Sequence, residues 1–105
     1  MIQQVESVDS FKKMLEQPYV LMDFFATWCG PCKMLHPVLE SLSEKLPDVT
    51  VVQCDIDKFP EIAGAFKVHS VPTLYFFKNG TAVAATAGYQ PEANLAKFVE
   101  QAKLK

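Results

Sequence analysis

The sequence contains no run of Lys or Arg, and its formal net charge is only -2. Nothing in it is built to hold a polyanion, which argues against nucleic acid or an anionic membrane surface as partner. No apolar stretch approaches the length that spans a bilayer. Met1 to Ser10 mix polar and apolar side chains and lack the apolar core of a secretory signal. A soluble, cytoplasmic protein is therefore expected. There is no repeat, no low-complexity tract and no linker-like segment, so residues 1–105 are expected to form a single domain, by default a monomer. There is no dinucleotide-binding fingerprint either, and any electrons the chain uses must reach it from a partner rather than from a cofactor of its own. Finally, there is no disulfide framework. The three cysteines, Cys29, Cys32 and Cys54, are too few and of odd number. Close cysteines in a reducing compartment are more often catalytic or metal-binding than structural.

What is present is apolar: half of the 105 residues, enough for one continuous core without staples. Ser7 caps a short expected helix that buries Val8, Phe11 and Leu15, and Pro18 ends it. Tyr19 to Phe25 is a dense apolar run broken by one charge, Asp23, and suits a central strand covered on both faces. Cys29 to Leu46 predicts a helix with Leu35, Val38, Leu39, Leu42 and Leu46 on one stripe, kinked by Pro37. Val49 to Gln53, continuing towards Asp55, predicts a second buried strand. Pro60 opens a short helix to Phe66. Thr73 to Phe77 and Ala82 to Ala87 flank Asn79-Gly80, a strong hairpin signal. Pro91 opens a last helix with Leu95, Phe98, Val99 and Ala102 on one face. This order implies an α/β sandwich: parallel strands joined by helical crossovers, an antiparallel hairpin at one edge, and helices on both faces.

The chemistry concentrates in Trp28-Cys29-Gly30-Pro31-Cys32-Lys33, where the central strand meets the long helix. Two intervening residues place both sulfurs on the first helical turn, close enough to bond. Cys29 then sits at the helix N-terminus, where unpaired N–H groups and the macrodipole favour an anion and lower the thiol's pKa. Cys29 is expected to be the exposed nucleophile and Cys32, one turn further in, the sheltered resolving thiol. Pro31 stiffens the loop and Gly30 leaves room for a substrate backbone. Asp23, a carboxylate in an apolar strand, is the candidate base for Cys32, its pKa raised by burial. A carboxyl merely satisfied by its neighbours is the alternative.

Other readings were open at the same residues. A Cys-x-x-Cys pair is half of a zinc site, but a structural site wants four ligands, and only Cys54, His36 and His69 remain, widely dispersed. No metal site is expected. Cys54 reads as a small apolar core residue rather than a redox centre. Trp28 either packs or covers the sulfurs and touches substrate.

The stretch Phe24-Phe25-Ala26-Thr27-Trp28-Cys29-Gly30-Pro31-Cys32-Lys33 closely resembles the active-site signature of the thioredoxin family, and the likeness extends over essentially the whole chain. The resemblance implies a three-layer sandwich with a central mixed sheet of about five strands and helices on both faces. It implies a protein-disulfide reductase needing no cofactor of its own, serving disulfide-containing clients and recharged by a flavin-dependent thioredoxin reductase that draws on NADPH. By the same resemblance, Asp23 matches the buried aspartate and Pro37 the helix-kinking proline. Val71-Pro72-Thr73 matches a cis-proline segment with Val71 as the main-chain contact for substrate. Gly88 matches a glycine near the substrate groove, and Asp57 an acidic position supporting the Trp. Three positions depart from the pattern. Gln53 stands where many bacterial members carry a lysine near the aspartate. Phe25 stands where a second Trp is common, and Cys54 where a non-thiol apolar residue is usual. Two other classes compete with reduction: a thioredoxin-like scaffold without turnover, and a disulfide oxidant or isomerase.

Overall fold

Strand β2 (Tyr19–Phe25) runs through the middle of the sheet in the computed structural model, which describes residues 1–105. Along the chain come β1 (Gln3–Gln4), α1 (Val8–Met14), β2, α2 (Gly30–Lys45), β3 (Thr50–Asp55), α3 (Pro60–Ala65), β4 (Thr73–Lys78), β5 (Thr81–Ala87) and α4 (Glu92–Lys103). The strand order is β1-β3-β2-β4-β5. β3 is parallel to both β1 and β2, whereas β4 is antiparallel to β2 and β5. This is the mixed five-stranded sheet and three-layer sandwich that the family resemblance implies, and four of its five strands are those that the order of apolar segments predicts.

Period-2 alternation along β2 feeds two separate cores. Leu21 faces α2 and α4, packing with Leu35, Leu39, Leu42, Leu95 and Val99. Val20, Met22 and Phe24 face the other way, towards Phe11 of α1 and Ile62 of α3. Each large apolar side chain buried this way contributes about 1.5–3 kcal/mol, so β2, covered on both faces, anchors both layers. Asp23 stands among these residues with no exposed surface.

Local chemistry sets the ends of the elements. The Ser7 hydroxyl accepts from the Ser10 N–H while the Ser10 hydroxyl accepts from the Ser7 N–H, closing a capping box with serine in both roles. Asn79 and Gly80 both have positive φ, 52° and 84°, and make the two-residue turn of the β4–β5 hairpin. α2 continues through Pro37 to Lys45, although Pro37 has no N–H to give the Lys33 carbonyl.

Three local expectations are corrected, and one element is added. Val8 is exposed, because the first residue of α1 points away from the sheet and only Phe11 is buried. Leu15 is half-buried and lies beyond the last helical residue. Pro91 is the residue before α4, with extended backbone, not its first turn. β1 is a strand that the sequence does not announce: two exposed glutamines paired with Val52 and Gln53 are too short to show alternation.

Candidate active site

The end of β2 and the start of α2 bring the motif together. Cys29 has extended backbone (φ -91°, ψ 115°) and is the cap of α2, with Gly30 and Pro31 in the first turn. Its Sγ accepts the Cys32 N–H at 3.1 Å, the place a serine or aspartate oxygen takes at an ordinary helix cap. Cys29 and Cys32 are joined as a disulfide, their Cα atoms 5.2 Å apart. Sγ of Cys29 lies 3.6 Å from the Val71 carbonyl oxygen, an acceptor for its S–H in the dithiol state. A thiolate at Cys29 would gain from the Cys32 N–H and from the N-terminal end of a 16-residue helix.

Cys29 is not the exposed member of the pair that its position in the motif predicts. Its exposure is 4 %, against 3 % for Cys32. Both sulfur-bearing residues sit in a small apolar cluster with Ala26, flanked by Phe25, Ile56 and Val71. The difference between the two cysteines is one of surroundings: Cys29 borders Val71, while Cys32 lines a cleft of about 410 Å³ with Lys33, His36, Gln4 and Gln53.

Asp23 lies in register with Gln53 on β3 and Leu74 on β4. The Gln53 side-chain amide donates to its Oδ2 at 2.9 Å, while Oδ1 has no hydrogen-bond donor. Burial pushes the Asp23 carboxyl up to about 6. The Gln53 hydrogen bond and the charge of His36 pull the other way and do not offset it. Gln53 in turn accepts from the Gln4 amide at 2.8 Å. A carboxyl that titrates near pH 6, on the strand that leads into the dithiol, is ionised at neutral pH yet has more proton affinity than an ordinary carboxylate, as a general base for a thiol requires.

The rim is formed from other segments. Trp28 is 67 % exposed and its indole N–H donates to Asp57 Oδ2 at 2.9 Å. Asp57 is itself held: its N–H donates to Oδ1 of the buried Asp55 at 2.9 Å. The Val71–Pro72 peptide is cis and Pro72 is buried. Gly88, at φ 89°, donates its N–H to the Pro72 carbonyl at 2.8 Å, so the start of β4 and the end of β5 are tied at this point. A Cβ added at Gly30 would meet nothing within 4 Å, so the space beside Gly30 is open. Lys33 and Pro37 are exposed on α2. No three His, Cys, Asp or Glu side chains converge as a metal site would require.

Sequence reasoning passed over Gln4, Asp55 and His36 as parts of this site. Gln4 and Asp55 act through a neighbour's side chain, and only strand register reveals that. His36 could have been found from its spacing, since it lies four residues after Cys32 on the same helix face. Cys54 stands on the opposite face of the sheet, unpaired and buried with Met22, Phe24 and Ile62. Burial and the neighbouring Asp55 and Glu61 charges push its thiol up to about 12, which leaves it un-ionised.

Comparison with known proteins agrees with this geometry. The thioredoxin family profile matches residues 3–101. A thioredoxin of Chlamydia muridarum is 46 % identical over 98 residues, covering 93 % of this chain and 96 % of its own. One of Staphylococcus saprophyticus is 42 % identical over 99 residues, covering 92 % and 95 %. Among solved structures, a thioredoxin mutant from Halobacterium salinarum superposes with a TM-score of 0.90 at 36 % identity, over 97 % of this chain and 90 % of that one. Plasmodium falciparum thioredoxin gives 0.88 at 31 % identity, over 94 % and 97 %. With its fold, its helix-capping disulfide and its relatives in agreement, the chain is a thiol-disulfide oxidoreductase and belongs to the thioredoxin family.

Proposed function

We propose that the chain reduces disulfides in client proteins, with Cys29 as nucleophile, Cys32 as resolving thiol and Asp23 as base. The observation that carries this reading is the Cys32 N–H donated to Cys29 Sγ at the start of α2, which favours negative charge on that sulfur over the other. The Cys29 thiolate attacks one sulfur of a client disulfide. A Cys29–client disulfide forms, the client S–S bond breaks, and the second client sulfur leaves as a thiolate and takes a proton from solvent. Cys32 then gives its proton to the Asp23 carboxylate, and its sulfur attacks Sγ of Cys29. The first client sulfur leaves as a thiolate. Two electrons pass to the client and the Cys29–Cys32 disulfide remains. Holding Cys32 within the same turn makes this closure effectively unimolecular.

The client is read as an extended segment that pairs with the main chain of Val71, between Trp28 and Gly88 and over the open space at Gly30. Recharging falls to a thioredoxin reductase using NADPH, because the chain has no dinucleotide site, and a reducing cytoplasm is the compartment this chemistry fits. The intact dithiol with a poised carboxyl favours turnover over a scaffold role. The test is insulin reduction combined with trapping. Cys29→Ser should abolish turnover, and Cys32→Ser should accumulate client mixed disulfides on Cys29 that mass spectrometry identifies. Reductase activity that survives Cys29→Ser would overturn the reading.

A further inference from the structure

Asp23 must take up and release a proton in every cycle of the reading above, on which the relevance of this inference rests. It does so with no exposure, and its only side-chain partner is the Gln53 amide. An amide differs from a lysine here. Its NH2 end suits an ionised carboxylate, which can only accept, whereas its C=O end suits a protonated one, which can donate. Gln53 is 4 % exposed and cannot turn over freely, because its other end is also engaged: Oε1 accepts from Nε2 of Gln4 at 2.8 Å. Reversing Gln53 alone would set its NH2 against the NH2 of Gln4, two donors face to face. Reversing both amides restores every bond with the opposite polarity. Gln4 can follow, because it is exposed on the two-residue edge strand β1.

We infer that Gln4 and Gln53 form a polarity-reversible hydrogen-bond chain that turns over with the proton of Asp23, which makes Gln4 a positioning residue for that carboxyl. The observed order of donation, Gln4 to Gln53 to Asp23, is the one that suits an ionised Asp23. With Asp23 protonated, its O–H donates to Gln53 Oε1 and Gln53 Nε2 donates to Gln4 Oε1. Neither state leaves a buried amide end unpaired, which would otherwise cost about as much as a lost hydrogen bond each time the proton moves. Among the other groups nearby, His36 of α2 acts on Asp23 through its charge, Cys32 and Lys33 of α2 line the cleft with His36 and Gln53, and Asp55 lies two residues beyond Gln53 on β3. β4 presents the apolar Leu74. None of them contacts Gln4 by a hydrogen bond.

The experiment is an NMR titration of the oxidised protein that follows the Asp23 carboxyl carbon together with the side-chain amides of Gln53 and Gln4. The Gln4 amide is expected to titrate with the same midpoint as Asp23, although the two do not touch. In Gln53→Met, and independently in Gln53→Lys, Asp23 still titrates but the Gln4 response is lost, because methionine carries no amide and lysine has no acceptor end to reverse. A flat Gln4 amide in the unmodified protein, or an unchanged Gln4 response in both variants, overturns the inference. The readout contains no turnover, so it stands apart from the assignment of Asp23 as base, which fails only if Asp23→Asn leaves resolution of the mixed disulfide unslowed.

Discussion

Gln53 donates its side-chain amide to Asp23 across two adjacent parallel strands, 2.9 Å from Nε2 to Oδ2, at a point where neither residue is exposed to more than 4 %. A neutral donor thus supports the one fully buried carboxyl of the central strand. One hydrogen bond to a charged group is worth about 1.5–3 kcal/mol, less than removing a carboxylate from water costs. The net result is a carboxyl pushed up to about 6.

Stability follows from that shift. The folded state holds the Asp23 proton up to about pH 6, whereas the unfolded chain releases it near the ordinary value of 3.8. Between those values the folded state binds more protons, so stability falls as pH rises through the window and the loss is complete above it. The difference of about 2.2 pH units corresponds to about 3 kcal/mol at 1.36 kcal/mol per unit. Asp23→Asn, which keeps the shape without the charge, should stabilise the protein by up to that amount at pH 7.5 and scarcely at all at pH 3.5. Denaturant unfolding at the two pH values measures it. Equal effects at both would show that burial of the charge is not what Asp23 costs.

Catalysis should move the opposite way. With Asp23 as base, Asp23→Asn slows the Cys32 attack by about 10²-fold, the lower end of what a positioned base supplies. First attack by Cys29 on a client should change little. The base is competent only when ionised, so the resolution rate of the unmodified protein should climb through about pH 6 and the Asn variant should lack that rise. Single-turnover kinetics with a chromogenic disulfide separates the two steps. A variant that is more stable at neutral pH yet slower at one step is a combination that a purely structural aspartate would not give.

Trp28 and Asp57 form the exposed part of the site, held by the 2.9 Å indole hydrogen bond and by the Asp57 N–H to Asp55. Asp57→Ala should free the indole at little cost in stability, within about 0.5 kcal/mol, because the pair is at the surface. Client reduction should fall a few-fold through KM rather than kcat, since the rim positions the client and not the dithiol. Fluorescence anisotropy of Trp28, the sole tryptophan, should show faster ring motion. Unchanged anisotropy would mean that packing, not Asp57, fixes the ring.

The parts of this protein that were legible in the sequence are those with strong local periodicity or fixed turn chemistry. β2 announced itself by a seven-residue apolar run, the hairpin by Asn79-Gly80 and α2 by its leucine stripe. The dithiol was legible as a motif at a strand-to-helix junction. What was not legible depends on register. Gln4 belongs to the site only because β1 places it beside Gln53, and a two-residue strand carries no pattern of its own. Asp55 matters through an Asp57 backbone N–H, a contact that no side-chain spacing encodes. The burial of Cys29 escaped as well, because the segment that covers it, around Val71, lies 42 residues away in the chain.

Cys54 supplies the last prediction. It shares β3 with Gln53 yet points to the other face, into the cluster of Met22, Phe24 and Ile62. With its thiol pushed up to about 12 and its surface fully covered, it has neither the thiolate nor the access that reactivity requires. Alkylation of the reduced native protein at neutral pH should therefore label Cys29 first and leave Cys54 unmodified until the chain unfolds. Cys54→Val should be close to neutral, within about 1.5 kcal/mol. Cys54→Ser should cost about 1–3 kcal/mol, because the hydroxyl enters an apolar cluster. Neither should alter insulin reduction. Labelling of Cys54 at a rate comparable to Cys29 would show instead that β3 and α3 open on the timescale of the reagent, and that the lower core is a separate, weaker cooperative unit than the one beneath the dithiol.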